Sequence, residues 1–156
     1  MPDKHSFPFE TLTEFWMGEV KPPIGKAQDV TPDDKLDWTP GDNMITLGNI
    51  FMHIAEASDW WISEIIDGKG CTDYTPCPSV PKAEIAVMLD NHWKRLEAFF
   101  ARAPEVLEGE YDMSKYGRDR KVNGYWIFLH LLEHDIHHRS QINHYLRILG
   151  IKPPKI

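Results

Sequence analysis

Residues 123–150 read NGYWIFLHLLEHDIHHRSQINHYLRILG, and this stretch decides the fold. Ile127, Leu131, Tyr145 and Leu149 fall on one face at the helical period. No Pro or Gly interrupts the run between its ends. The run begins at about Asn123. Gly150 and the Pro153–Pro154 pair supply the stop. The pattern predicts a helix over about 123–149.

Upstream segments show the same period. Phe9, Leu12 and Trp16 share a face over about 9–20, closed by Gly18 and the Pro22–Pro23 pair. Residues 21–43 are rich in Pro, Asp and Gly and are expected as a structured loop, pinned by Trp38 and Pro40. Thr46 is an expected N-cap for a helix to Asp67, stopped by Gly68, with the stripe Leu47, Ile50, Ile54, Ala57, Trp61 and Ile65. Pro81 suits the first turn of a helix to about Arg102, with Ala86, Leu89, Trp93, Leu96 and Phe100 on its face. Residues 105–121 read as a loop or short hairpin. No strand pattern competes with these helices. The expectation is an all-α, four-helix bundle in one domain, 1–156, whose long first connection suggests a crossover.

Composition narrows the function. The 156 residues hold 17 Lys and Arg against 24 Asp and Glu, a net charge of −7. That balance argues against nucleic acid as partner, because phosphate binding needs a basic face. No run of about 18 uncharged apolar residues offers a membrane span. The first residues hold no apolar core of an export signal, so a cytoplasmic protein with reduced thiols is expected. Cys71 and Cys77 lie in a polar loop with Pro76 and Pro78, and a local disulfide is the alternative. A straight continuation of the second helix would carry Cys71 roughly 27 Å beyond His53, too far for catalytic duty.

Five of the eight histidines crowd into the last helix: His130, His134, His137, His138 and His144. With His134 at 0° on a wheel of about 100° per residue, His138 falls near +40° and His130 near −40°. The apolar stripe is read at about +20° to +60°. Histidines at i and i+4 stack on one face and can share a divalent ion. Both His130/His134 and His134/His138 have that spacing, and the wheel favours His134/His138. His53, between Ile50 and Ala57, stands where the second stripe wants an apolar residue, and is the expected third ligand. His92 is a weaker candidate beside Trp93, and His5 is read as solvated. Gln141, near −20°, is a candidate for holding a bound water or for a second layer of contacts, or else a packing amide. Asp135 and Glu133 are expected to point away from the stripe, and Arg139 and Arg147 to lie at the surface, with binding of an acidic thiol or acid substrate as the alternative for the two arginines.

Other chemistries lack residues. His130-Leu-Leu-Glu133-His134 matches the inverted zincin signature HxxEH, but no acidic ligand follows downstream. HExxH, GxSxG, GxGxxG and the P-loop pattern are absent.

Three elements together resemble the DinB/YfiT-like proteins. His134-Asp-Ile-His-His138-Arg139-Ser140-Gln141-Ile142, followed by Tyr145-Leu146-Arg147 and Gly150, is similar to that family's last-helix motif, with Ser140 in place of the usual Gly. His53-Ile54-Ala55-Glu56 resembles its second-helix motif, and Leu36-Asp37-Trp38-Thr39-Pro40 its "LDWxP" loop. The resemblance implies a four-helix bundle and a divalent ion on His53, His134 and His138, with zinc, nickel, manganese and iron all open. It also implies a homodimer and a small-molecule substrate. The activities it suggests are a low-molecular-weight thiol S-transferase or a thiol-assisted isomerase. A non-catalytic, stress-related metal-binding bundle or ligand-binding module is the alternative.

Overall fold

The computed structural model describes residues 7–72 and 80–156. Helix α1 (Phe9–Phe15) passes into a π-helical turn (Trp16–Val20) and on into α2 (Lys21–Val30) without a break. The expected stop at Val20 is therefore overturned. A π-turn already gives up the i→i−4 pattern, so Pro22 and Pro23 enter at the first positions of α2, where a missing N–H costs little. Pro23 cannot donate to the carbonyl of Glu19, and the Arg139 guanidinium donates to it instead, at 3.0 Å.

The connection to the next helix is fixed by backbone bonds. Gly48 N–H donates to the Leu36 carbonyl at 2.7 Å, and Leu47 N–H to the Trp38 carbonyl at 3.0 Å. Trp38 packs edge-on against Tyr145, as the pinned loop requires. The Thr46 hydroxyl accepts from Asn49 N–H, so Thr46 is the N-cap of α3 (Leu47–Ser58). A second π-helical segment, Asp59–Ile66, continues this rod to the left-handed Gly68 (φ 62°).

Helix α4 spans Lys82–Phe100. Its buried face is Ile85, Leu89, His92, Trp93, Leu96 and Phe99. Leu89, Trp93 and Leu96 are buried as expected, but at the two ends Ile85 and Phe99 take the buried places, with Ala86 exposed and Phe100 only partly buried. A short helix α5 (Glu105–Glu108) precedes a hairpin of β1 (Glu110–Asp112) and β2 (Lys121–Asn123), with Tyr111 opposite Val122. Helix α6, Gly124–Ile148, starts on the Asn123 side chain and stops at the left-handed Gly150 (φ 74°).

The rod from α1 to α2 packs against α4 and α6, and α3 packs against the same two helices. The first rod and α3, consecutive in the chain, thus lie across the bundle from one another, which is the crossover expected of the long first connection. Trp16, Phe51, Phe99, Phe128, Ile50, Ile54 and Ile127 fill the centre with almost no exposed surface. Among the described residues no helix is long and apolar enough to cross a membrane.

Two glycines are predicted to respond oppositely to alanine. A Cβ at Gly124 runs into the Val106 carbonyl and the Leu107 backbone, whereas a Cβ at Gly25 meets nothing within 4 Å. Chemical denaturation is expected to show Gly124→Ala losing about 1–3 kcal/mol and Gly25→Ala gaining about 0.5–1 kcal/mol.

Candidate metal centre

Helices α3 and α6 lie side by side and bring His53 against His134 and His138. One ring nitrogen from each lies within 4.8 Å of the other two. His53 Nε2 and His134 Nε2 are 3.1 Å apart. Two nitrogens held at about 2.0–2.1 Å on a tetrahedral ion stand roughly 3.3–3.4 Å from each other, so the spacing suits one ion.

The outer nitrogens fix which tautomer each ring adopts. His53 Nδ1 donates to the Glu56 carboxylate at 2.9 Å, three residues along the same helical face. His138 Nδ1 donates to Gln141 Oε1 at 2.8 Å, again three residues on. Both bonds leave an Nε2 lone pair facing the group, the arrangement common for metal-binding imidazoles. Gln141 is therefore turned towards His138, behind the three nitrogens.

His134 is different. With its Nε2 proton shared towards His53, its Nδ1 is a bare acceptor, and it has no partner. Asp135 Oδ1, 4.0 Å away, has none either. These two buried atoms are reconciled when an ion takes the Nε2 lone pair. The ring proton then resides on Nδ1, where Asp135 Oδ1 can accept it. The donor set thus fits a divalent cation on two counts, converging lone pairs and an orphaned acceptor pair behind one ligand.

Asp135 contradicts the expectation that it points outward. It is fully buried, and its Oδ2 accepts from Trp16 Nε1 at 2.8 Å and from His92 Nε2 at 2.9 Å. Burial by itself would raise its pKa, but the neighbouring His92 and the bonds it accepts hold it below the usual carboxylate range. Arg139 is also buried, its guanidinium turned to Glu19, while Arg147 is exposed. A helix wheel places both outside because it equates polarity with exposure. With Asp135, Arg139, Ile142 and Leu146 inside, the core face centres near about +90°, and His134 and His138 stand on its edge. That edge position leaves the site reachable: the His53 side chain is 41% exposed.

The remaining histidines lie outside the group. His130 stacks on Trp126 at 4.9 Å and stands 6.1 Å from His134, ring to ring. His137 and His144 are exposed. His92, in α4, is fully buried, with Nδ1 2.7 Å from the Ser58 hydroxyl, which also accepts from Arg95. His5 and Cys77 lie outside the described residues. The chain reverses after Gly68, and Thr72 N–H donates to Asp59 at 2.9 Å. Cys71 is thus folded back beside the second π-helical segment rather than carried away along it.

Burial, followed by the positive field of His134, lowers the pKa of His138 to about 4 in the ion-free protein. A histidine whose folded pKa lies below its unfolded value takes up protons first in the unfolded chain. Stability is therefore expected to fall as pH drops from about 6.5 towards 4. In metal-free protein this slope should be shallower in His138→Asn, measured by denaturation at a series of pH values.

Asp135→Asn removes the acceptor that suits the metal-binding tautomer of His134. Competitive chelator titration is expected to show metal affinity about 10–100-fold weaker. His138→Ala should lose most bound metal and His130→Ala should keep most of it, as read by elemental analysis.

Comparison with known proteins bears on the fold and the family. Two crystal structures of DinB-like proteins match 94% of the chain over 96% of their own lengths. One, from Bacillus cereus ATCC 10987, is 22% identical with a TM-score of 0.71. The other, YjoA from Bacillus subtilis, is 17% identical with a TM-score of 0.70. At those identities the likeness establishes the fold. No curated protein matches the sequence. The model of the DinB family matches residues 25–156, which takes in all three histidines, and the chain belongs to the DinB family.

Proposed function

We propose that this protein is a metal-dependent enzyme that activates a low-molecular-weight thiol, either transferring its sulfur to an electrophile or using it to assist an isomerisation. The observation that carries the reading is the convergence of three imidazole nitrogens, with two of the rings, His53 and His134, lining an open cleft. Neutral ligands leave the full charge of a divalent ion uncompensated, and a thiol bound there is held as thiolate at neutral pH. Among the described residues lining the cleft, Glu56 is the one carboxylate, and it is committed to His53.

His53, His134 and His138 would hold the ion, which can be zinc, nickel, manganese or iron on this ligand set. Glu56, Gln141 and Asp135 would keep their rings oriented. The Trp60 and Trp61 side chains line the cleft and exclude water from one wall. In the transfer reading, a sulfur–carbon bond forms as the electrophile's leaving group departs with its electron pair, and the thiol proton passes to solvent.

The same reading takes the protein to be cytoplasmic and a homodimer. The exposed Leu129 beside the partly buried Ile136, on the outer face of α6, supports an apolar contact between copies. Sedimentation of the purified protein tests it.

The activity is tested with metal-loaded protein, a panel of thiols and 1-chloro-2,4-dinitrobenzene. For at least one thiol, the wild type is expected to outpace His134→Ala by a hundredfold or more. Equal rates across the panel would leave a protein that binds metal without this chemistry.

A further inference from the structure

The cleft beside the three histidines has a volume of about 350 Å³ and is lined by His53, Glu56, Trp60, Trp61, Arg118 and His130, with Ala57 and His134 at its base. That is at the small end of the range for ligand sites. Its walls are aromatic: Trp60 meets Trp61 at 4.7 Å, and Trp61 meets Trp126 at 5.2 Å. Its fixed charge is less expected. Among the described residues lining it, Glu56 is bonded to His53, which leaves Arg118 as the uncommitted charge.

Arg118 is a built feature of the lip. It follows the left-handed Gly117 (φ 73°) in the segment that joins β1 to β2. That segment is latched to the end of the second π-helical stretch by one carboxylate. Glu64 Oε1 accepts from Tyr116 Oη at 2.6 Å and from Lys115 Nζ at 3.2 Å. Arg118 N–H donates to the Met113 carbonyl at 3.2 Å, which fixes the start of the side chain. Its guanidinium then sits 6.0 Å from the Trp60 ring centre, within reach of a cation–π contact. Next to it, Arg120 lies 4.7 Å from the ring centre of Trp126, on which His130 is stacked. A planar guanidinium beside an aromatic wall, with no carboxylate among the described residues on its donors, matches a carboxylate attached to an apolar or aromatic body.

We propose that this cleft binds a small organic acid, its apolar body against Trp60 and Trp61 and its carboxylate on Arg118. Arg118 then selects acidic ligands over neutral ones of the same shape. This deepens the thiol reading and rests on it only for what the acid does next: the acidic molecule is the thiol or its electrophile.

The test uses the full-length protein and two isosteric probes, phenylacetate and 2-phenylethanol, with binding read by tryptophan fluorescence. Wild-type protein is expected to bind phenylacetate about tenfold more tightly than the alcohol. Arg118→Gln should erase that preference while leaving the affinity for the alcohol, the metal content and the thermal unfolding unchanged. Arg118→Lys should restore it in part, as a point charge without the fork. Equal affinity for both probes in the wild type, or a preference that survives Arg118→Gln, overturns the proposal. A second titration uses cobalt-loaded protein with 3-mercaptopropionate and 2-mercaptoethanol, read by the sulfur-to-cobalt charge-transfer band. An Arg118-dependent preference for the acidic thiol makes the thiol the acid. A band of equal strength with both makes the electrophile the acid. No band with either, beside an Arg118-dependent preference for phenylacetate, strikes the thiol reading and leaves the acid site standing.

Discussion

A carboxylate with no exposed surface sits at the meeting point of three helices, and the rest of the structure is arranged around it. Asp135 takes a hydrogen bond from Trp16 on the first rod and another from His92 on α4, while its own helix, α6, carries it inward. A buried charge without partners costs several kcal/mol, so Trp16 and His92 are held where they can donate. His92 hands the constraint on to Ser58 and Arg95, and Arg95 to Asp59 at 3.4 Å. A polar chain thus runs through a core otherwise filled by Phe, Ile and Leu. The residue before Asp135 is His134. The group that locks the bundle together therefore also stands behind one of the three site histidines.

Departures from regular helix shape the cleft. The π-helical segment Asp59–Ile66 changes the direction in which α3's side chains point, so that Trp60 and Trp61 both face the site region and Glu64 reaches the hairpin. The turn Trp16–Val20 does the same service on the first rod: it admits two prolines and frees a carbonyl for Arg139. Wider turns cost backbone hydrogen bonds, and on the first rod the Arg139 side chain from α6 takes up part of that loss. Site and fold are coupled through these exchanges rather than through the apolar core.

What could be read in the sequence follows from the range of each interaction. Thr46, Asn123, Gly68 and Gly150 mark helix ends through bonds or dihedrals only a few residues long, and each end lies where its residue places it. His134 and His138 are legible as a pair because i and i+4 share a face, and His53 because it breaks an apolar stripe. Asp135 and Arg139 were illegible because their partners, Trp16, His92 and Glu19, are more than 40 residues away in the chain. A helix wheel treats an unpaired carboxylate as a surface residue. The passage of a helix across Pro22–Pro23 was hidden for the same kind of reason, since the π-turn that permits it has no local signature. Arg118 belongs to a hairpin whose position depends on Glu64, 54 residues earlier, and nothing near Arg118 in the sequence announces the cleft.

The central claim is that His53, His134 and His138 hold one divalent ion through their Nε2 atoms. The most direct measurement is a crystal structure of metal-loaded protein with anomalous differences recorded at the absorption edge of the bound metal. A single peak is expected at about 2.0–2.2 Å from those three nitrogens, with His134 Nδ1 within hydrogen-bonding distance of Asp135. A peak coordinated by His130, or one bound through Nδ1 of any of the three rings, would contradict it.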